Sequence, residues 1–114
     1  MDFEKALDSV DWSSLNYVMY LMDFCQKWRG WIFQFISSAS ISVIINGSPT
    51  PQFSMKRGLR QGCPLSPFLF NPVAESFSVL CHKATSIGLF NGAQISSSSL
   101  TISHLQFADD TLLF

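Results

Sequence analysis

Charge is scarce in this chain. Lys, Arg, Asp and Glu make up only 13% of its 114 residues, against roughly 25% in ordinary soluble domains. Seven basic residues stand against eight acidic ones, for a net charge of −1. No global positive field therefore exists to draw in a polyanion, and any nucleic-acid contact must be local. Three cysteines, Cys25, Cys63 and Cys81, are odd in number and scattered, without metal-ligand spacing or a signal peptide. A reduced intracellular protein is the simplest expectation. The stretch from Leu15 to Phe35 is broken by Asp23, Lys27 and Arg29. No run reaches the roughly 18 apolar residues of a membrane span. There is no internal repeat and no linker.

What is abundant is apolar surface, at 47% of residues with 11 Phe and 3 Trp, so the chain is not disordered. At this length it is one domain at most, burying about two-thirds of its unfolded surface. Much of the apolar remainder expects neighbours, which makes self-association through exposed apolar surface an expectation. The only basic cluster is Lys56, Arg57 and Arg60.

The apolar spacing predicts a helix capped by Asp11 or Ser13 and running through Leu15, Val18, Met19 and Met22 towards Cys25. A second helix is predicted over Trp28–Ile36. Ser40 to Ile45 and Gln52 to Lys56 read as a hairpin turned by Asn46-Gly47-Ser48-Pro49, lying against the sheet that carries the acids. A helix from Ser66 to His82, with Ser66 as its cap, contains Pro72, which predicts a kink or a late start. Gly88 to Ser99 reads as a loop or poor hairpin, Leu100 to Phe107 as a strand, Asp109-Asp110 as a turn and Thr111 to Phe114 as a return strand. His82 and His104 have no ligand-like spacing and read as packing or surface residues.

Three segments carry chemistry. The chain ends in Phe107-Ala108-Asp109-Asp110-Thr111-Leu112-Leu113-Phe114 and begins with Asp2-Phe3-Glu4-Lys5-Ala6-Leu7-Asp8. Carboxylates in apolar surroundings persist when paired with cations or a metal. Between them lies Arg57-Gly58-Leu59-Arg60-Gln61-Gly62-Cys63-Pro64-Leu65-Ser66-Pro67, where Gly58 and Gly62 permit backbone angles and close approaches that a side chain would block. From composition alone, a metal site and an ordinary acidic turn remain equally open.

In that order the segments resemble the palm of a reverse transcriptase of plant LINE-type (non-LTR) retrotransposons. That family's motifs read Asp-Phe-Glu-Lys-Ala-Tyr/Phe-Asp, Arg-Gly-Leu-Arg-Gln-Gly-Cys-Pro-Leu-Ser-Pro and Phe-Ala-Asp-Asp. The likeness extends through Trp28-Arg29-Gly30-Trp31-Ile32 and Val43-Ile44-Ile45-Asn46-Gly47-Ser48-Pro49. It implies an α+β fold with a small antiparallel sheet packed with helices, and a partial palm domain over residues 1–114 truncated at both ends. It also implies RNA-directed DNA polymerisation, with two Mg2+ ions held by Asp2, Asp109 and Asp110 as the catalytic and metal residues. Leu7, Arg60, Gln61 and Gly62 would meet nucleotide or template, and the partners would be an RNA template, a DNA primer and dNTPs. By the same likeness Glu4 and Asp8 stay outside the catalytic set, Asp8 serving as a helix N-terminal or packing residue.

Leu7 departs from the pattern, because the family has Tyr or Phe there, whose ring excludes a 2′-hydroxyl; loosened sugar discrimination follows. Pro72 replaces a helix-compatible apolar residue. Two other classes compete with the enzyme: a non-catalytic remnant with at most weak nucleic-acid binding, and an acidic metal-dependent phosphohydrolase. The phosphohydrolase leaves Arg57 to Pro67 unexplained.

Overall fold

The computed structural model describes residues 6–95, 100–107 and 110–114. It is an α+β chain of helices and short antiparallel strands, in two compact units: Leu7–Pro72, and Val73–Phe114 with Ala6.

In the Leu7–Pro72 unit a single helical turn, α1 (Ala6–Ser9), leads into α2 (Trp12–Leu21). Asp11, in extended conformation, caps α2 by accepting the Ser14 amide at 2.7 Å, which singles it out over Ser13. The Ser14 backbone bond, seconded by the Ser14 hydroxyl, holds the Asp11 carboxyl below its ordinary pKa. The cap's contribution is therefore present above the unfolded-state value and lost as pH falls through the folded one.

The helix stops at Leu21, short of the expected Cys25, because Asp23 takes φ 62°. The Asp23 amide donates to the Tyr20 carbonyl at 3.1 Å and the Phe24 amide to Met19 at 3.0 Å, a Schellman ending with aspartate where glycine is usual. Asp23→Gly should accordingly raise stability by about 0.5–1 kcal/mol by removing left-handed strain. Chemical denaturation checks this, and an unchanged midpoint would contradict it.

Trp12, Leu15 and Met19 of α2 are buried, as are Ile32 and Ile36 of α3 (Gln26–Ser37). Arg29 ties the two helices together. It donates to the Asn16 side-chain oxygen at 3.2 Å and to the Phe24 carbonyl at 3.1 Å, and its guanidinium lies over the Tyr20 ring. Val10, Leu59 and Leu69 complete this core, where Leu15 and Leu59 are almost wholly buried.

Four two-residue strands follow: β1 (Ser40–Ile41), β2 (Ile44–Ile45), β3 (Ser48–Pro49) and β4 (Phe53–Ser54). Asn46 and Gly47 both have positive φ, 51° and 81°, the two-residue type I′ turn that Asn-Gly favours. The turn is thus shorter than expected, and Ser48 and Pro49 pair as strand opposite Ile45 and Ile44. Between that pair of strands and β1–β4, Thr50 takes over the ladder. Its amide donates to the Val43 carbonyl and its hydroxyl accepts the Val43 amide. Among the described residues these strands form two separate two-stranded sheets.

The helix α4 (Leu65–Ser86) gives Leu65–Pro72 to the first unit and Val73–Ser86 to the second. It is continuous through Pro72, so the expected late start does not occur. Pro72 denies the Phe68 carbonyl its helical donor, and Phe68, 70% exposed, lies where water can serve instead. Gly88, at φ 76°, ends α4: its amide donates to Thr85 and that of Leu89 to Ala84, again a Schellman ending.

In the Val73–Phe114 unit, β5 (Ala93–Gln94) pairs with β6 (Thr101–Ile102), and β7 (His104–Phe107) with β8 (Asp110–Leu113). The predicted strand 100–107 is therefore two strands, divided at the buried Ser103. The Gly92 amide donates to the Phe114 carbonyl, and the Phe114 amide to that of Ser103.

Candidate functional site

In the Leu7–Pro72 unit the first and second motif segments are stitched together through the backbone. The Leu59 amide donates to the Leu7 carbonyl and the Gly58 amide to that of Val10, both at 2.7 Å. The buried Trp12 indole N–H donates to the Gly58 carbonyl at 2.8 Å. Gly58 has φ 86°, and a Cβ there would lie 2.5 Å from the Asp8 carbonyl oxygen. The close approach expected of this glycine is real, but its partner is the chain's own backbone.

The stitch places the side chains beyond it. Asp8 is half-buried, and its Oδ2 accepts the Gln61 side-chain amide at 3.0 Å. Asp8, Arg60 and Gln61 line a cleft of about 450 Å³ together with Ser40, Ile41 and Ser42. Gly62, at φ 77°, has open space where a Cβ would stand. The Ser66 hydroxyl donates to the Arg60 carbonyl at 2.6 Å. Ser66 is thus the second residue of α4 and a tether for the loop, not the expected cap. Leu7 is half-buried, and Arg57 and Arg60 are exposed.

In the Val73–Phe114 unit Asp110 is exposed and heads β8 opposite Phe107, so it is a strand residue and not part of the turn. The other two carboxylates of the expected triad, Asp2 and Asp109, lie outside the described residues. Among the described residues no group of three or more His, Cys, Asp or Glu could hold a metal ion.

The hairpin reverses the usual alternation. Thr111 is buried and His104 and Gln106 half-buried on one side, while Leu105, Phe107 and Leu112 on the other are 52%, 84% and 58% exposed.

Sequence reasoning missed two associations. Asp8 stands in the first turn of α1, as expected of a helix N-terminal residue, but its side-chain partner Gln61, 53 positions away, was not foreseen. The rings of His82 and His104 stand 5.6 Å apart, with Phe77 edge-on to His104 at 6.0 Å and the Ser103 hydroxyl 2.9 Å from His104 Nδ1. No local spacing signals either.

Comparison with known proteins places the chain. It is 50% identical over 68 residues, 60% of its length, to an uncharacterized mitochondrial protein of Arabidopsis thaliana, covering 56% of that protein. Over 99% of its length it is 32% identical to a retrovirus-related Pol polyprotein from the type-1 retrotransposable element R2 of Popillia japonica, of which it spans 15%. It is likewise 32% identical over 99% of its length to a transposon TX1 uncharacterized 149 kDa protein of Xenopus laevis, of which it spans 8%. The family model described as reverse transcriptase (RNA-dependent DNA polymerase) matches residues 1–114. Spanned from first residue to last by that match, the chain belongs to the reverse transcriptase family.

Proposed function

We propose that this chain is the palm segment of an RNA-directed DNA polymerase of plant LINE type, acting on an RNA template, a DNA primer and dNTPs. The observation that carries the reading is the union of the first two motif segments in one cleft, where the Leu7–Leu59 and Gly58–Val10 backbone bonds bring Asp8 beside Arg60 and Gln61. Nucleotide recognition needs a fixed wall with a few convergent polar groups, and this cleft supplies one. Arg60 offers a fork for phosphate, Gln61 an amide with both donors and an acceptor, and Gly62 an open backbone approach. Leu7, lacking the family's ring, loosens exclusion of a ribose 2′-hydroxyl.

Asp2, Asp109 and Asp110 are proposed as the catalytic and metal residues. Donor chemistry supports the assignment, because Asp110 is exposed and carboxylate oxygens suit a hard cation such as Mg2+. When bound, a pair of such ions stabilises the attacking and leaving oxygens of an in-line displacement. The carboxylates' own part is to fix that cage, and that of Arg60 and Gln61 is to hold the nucleotide. The basic cluster Lys56, Arg57 and Arg60 is the local contact for a nucleic-acid backbone. Exposed Trp28, Trp31 and Phe33 of α3 give self-association a surface.

A second reading, a non-catalytic relative that binds nucleic acid weakly, is favoured by the net charge of −1. Substituting residues 1–114 for the matching segment of an intact non-LTR reverse transcriptase separates the two. With Mg2+ and a primed RNA template the chimera should extend the primer, and Asp109→Ala should lower the rate by about two orders of magnitude or more. A folded chimera that does not extend would establish the second reading.

A further inference from the structure

We infer that Asp8 is a positioning residue, whose carboxylate sets the side-chain amide of Gln61 in the orientation in which it meets a nucleotide. The inference rests on the nucleotide-cleft reading above and assigns a role to a residue outside the catalytic set.

The two partners are unequally held. Asp8 is half-buried, and its backbone is gripped from both sides: the Leu7 carbonyl is bonded to the Leu59 amide, the Val10 carbonyl to that of Gly58, and Gly58 packs against the Asp8 carbonyl. Gln61 is exposed, on a loop flanked by Gly58 and Gly62 in left-handed conformation. A glutamine on such a loop has much rotamer freedom to lose, so orientation runs from the anchored acid to the loop residue.

The chemistry also fixes which end of the amide faces where. An ionised carboxylate only accepts, so the group turned to Asp8 Oδ2 at 3.0 Å must be the NH2. That commits one N–H and sets the amide plane, leaving Oε1 and the second N–H for a ligand. Without Asp8 nothing sets which end of the amide faces the cleft, and a bound nucleotide must itself order the side chain, at a cost in affinity.

The test is calorimetric titration of the folded chain with 2′-deoxyadenosine triphosphate and Mg2+. Asp8→Ala should weaken binding about tenfold, the loss expected for one charge-assisted hydrogen bond. Asp8→Asn, whose amide oxygen still accepts from Gln61, should retain most of the affinity. In a Gln61→Ala background Asp8→Ala should add nothing, whereas a merely structural role would cost the same in both backgrounds. Should Asp8→Ala fail to fold, Asp8→Ser, too short to reach Gln61, takes its place. Equal losses in both backgrounds, or undiminished binding by the single variant, would overturn the positioning role alone. Absence of binding by the unsubstituted chain would overturn the nucleotide reading and this inference with it.

Discussion

Gly58→Ala should cost the Leu7–Pro72 unit about 3 kcal/mol or more. A Cβ at this position would stand 2.5 Å from the Asp8 carbonyl oxygen and 2.9 Å from its carbon, and backbone cannot swing aside as the end of a side chain can. At φ 86° any L-residue is already strained by about 1–3 kcal/mol. Moving the loop to relieve the clash would break the two 2.7 Å amide bonds that join residues 58 and 59 to residues 10 and 7. The chain supplies its own controls. Gly47 has a similar φ of 81° but nothing near its Cβ position, so Gly47→Ala should show the strain alone, about 1–2 kcal/mol. Gly30, inside α3 with free space around it, should become more stable by about 0.5–1 kcal/mol as alanine. Urea denaturation followed by circular dichroism measures all three, and a Gly58→Ala loss no greater than that of Gly47→Ala would show that the backbone crossing is not close.

Trp12→Ala should lose about 3–5 kcal/mol, whereas Trp31→Ala should stay within about 1 kcal/mol. Trp12 is 9% exposed, meets Phe33 edge to face at 6.2 Å and donates its indole N–H to the Gly58 carbonyl. Its removal leaves a cavity and takes the partner from that carbonyl. Trp31 is 53% exposed and touches Trp28 and Lys27 at the surface. In composition the two tryptophans are indistinguishable; equal losses by the same denaturation assay would contradict the burial described.

Where a feature is local, the sequence made it legible. Asp11 caps α2 because its short acceptor side chain reaches an amide three residues on, and Asn46-Gly47 turns the hairpin because both residues tolerate positive φ. Gly88 was legible as the edge of a loop for the same reason. Pro72 misled for the late start of α4, since the loss of one hydrogen bond at an exposed residue is tolerated within a helix of 22 residues. The β7–β8 strands were legible as strands, but not which of their faces is buried, because period alone does not say which face meets the core.

At the candidate site, the motif order was sufficient to recognise the family, and Gly58 and Gly62 were read correctly as positions of unusual backbone. That Gly58 approaches Asp8, and that Asp8 holds Gln61, are contacts across some fifty positions, which no helical or strand period encodes. The pairing of His82 with His104 escaped for the same reason.

Pro72 has a further consequence for how α4 breathes. A helix normally opens as one ladder of amides, each closing on the carbonyl four residues back, but here the rung at Phe68 is missing where the two compact units divide. Cooperative opening on one side of that gap has no hydrogen bond at residue 72 through which to pass to the other. In hydrogen-exchange terms, the rungs flanking Pro72 are expected to be less protected than those in the middle of either half of α4, although the helix itself is unbroken.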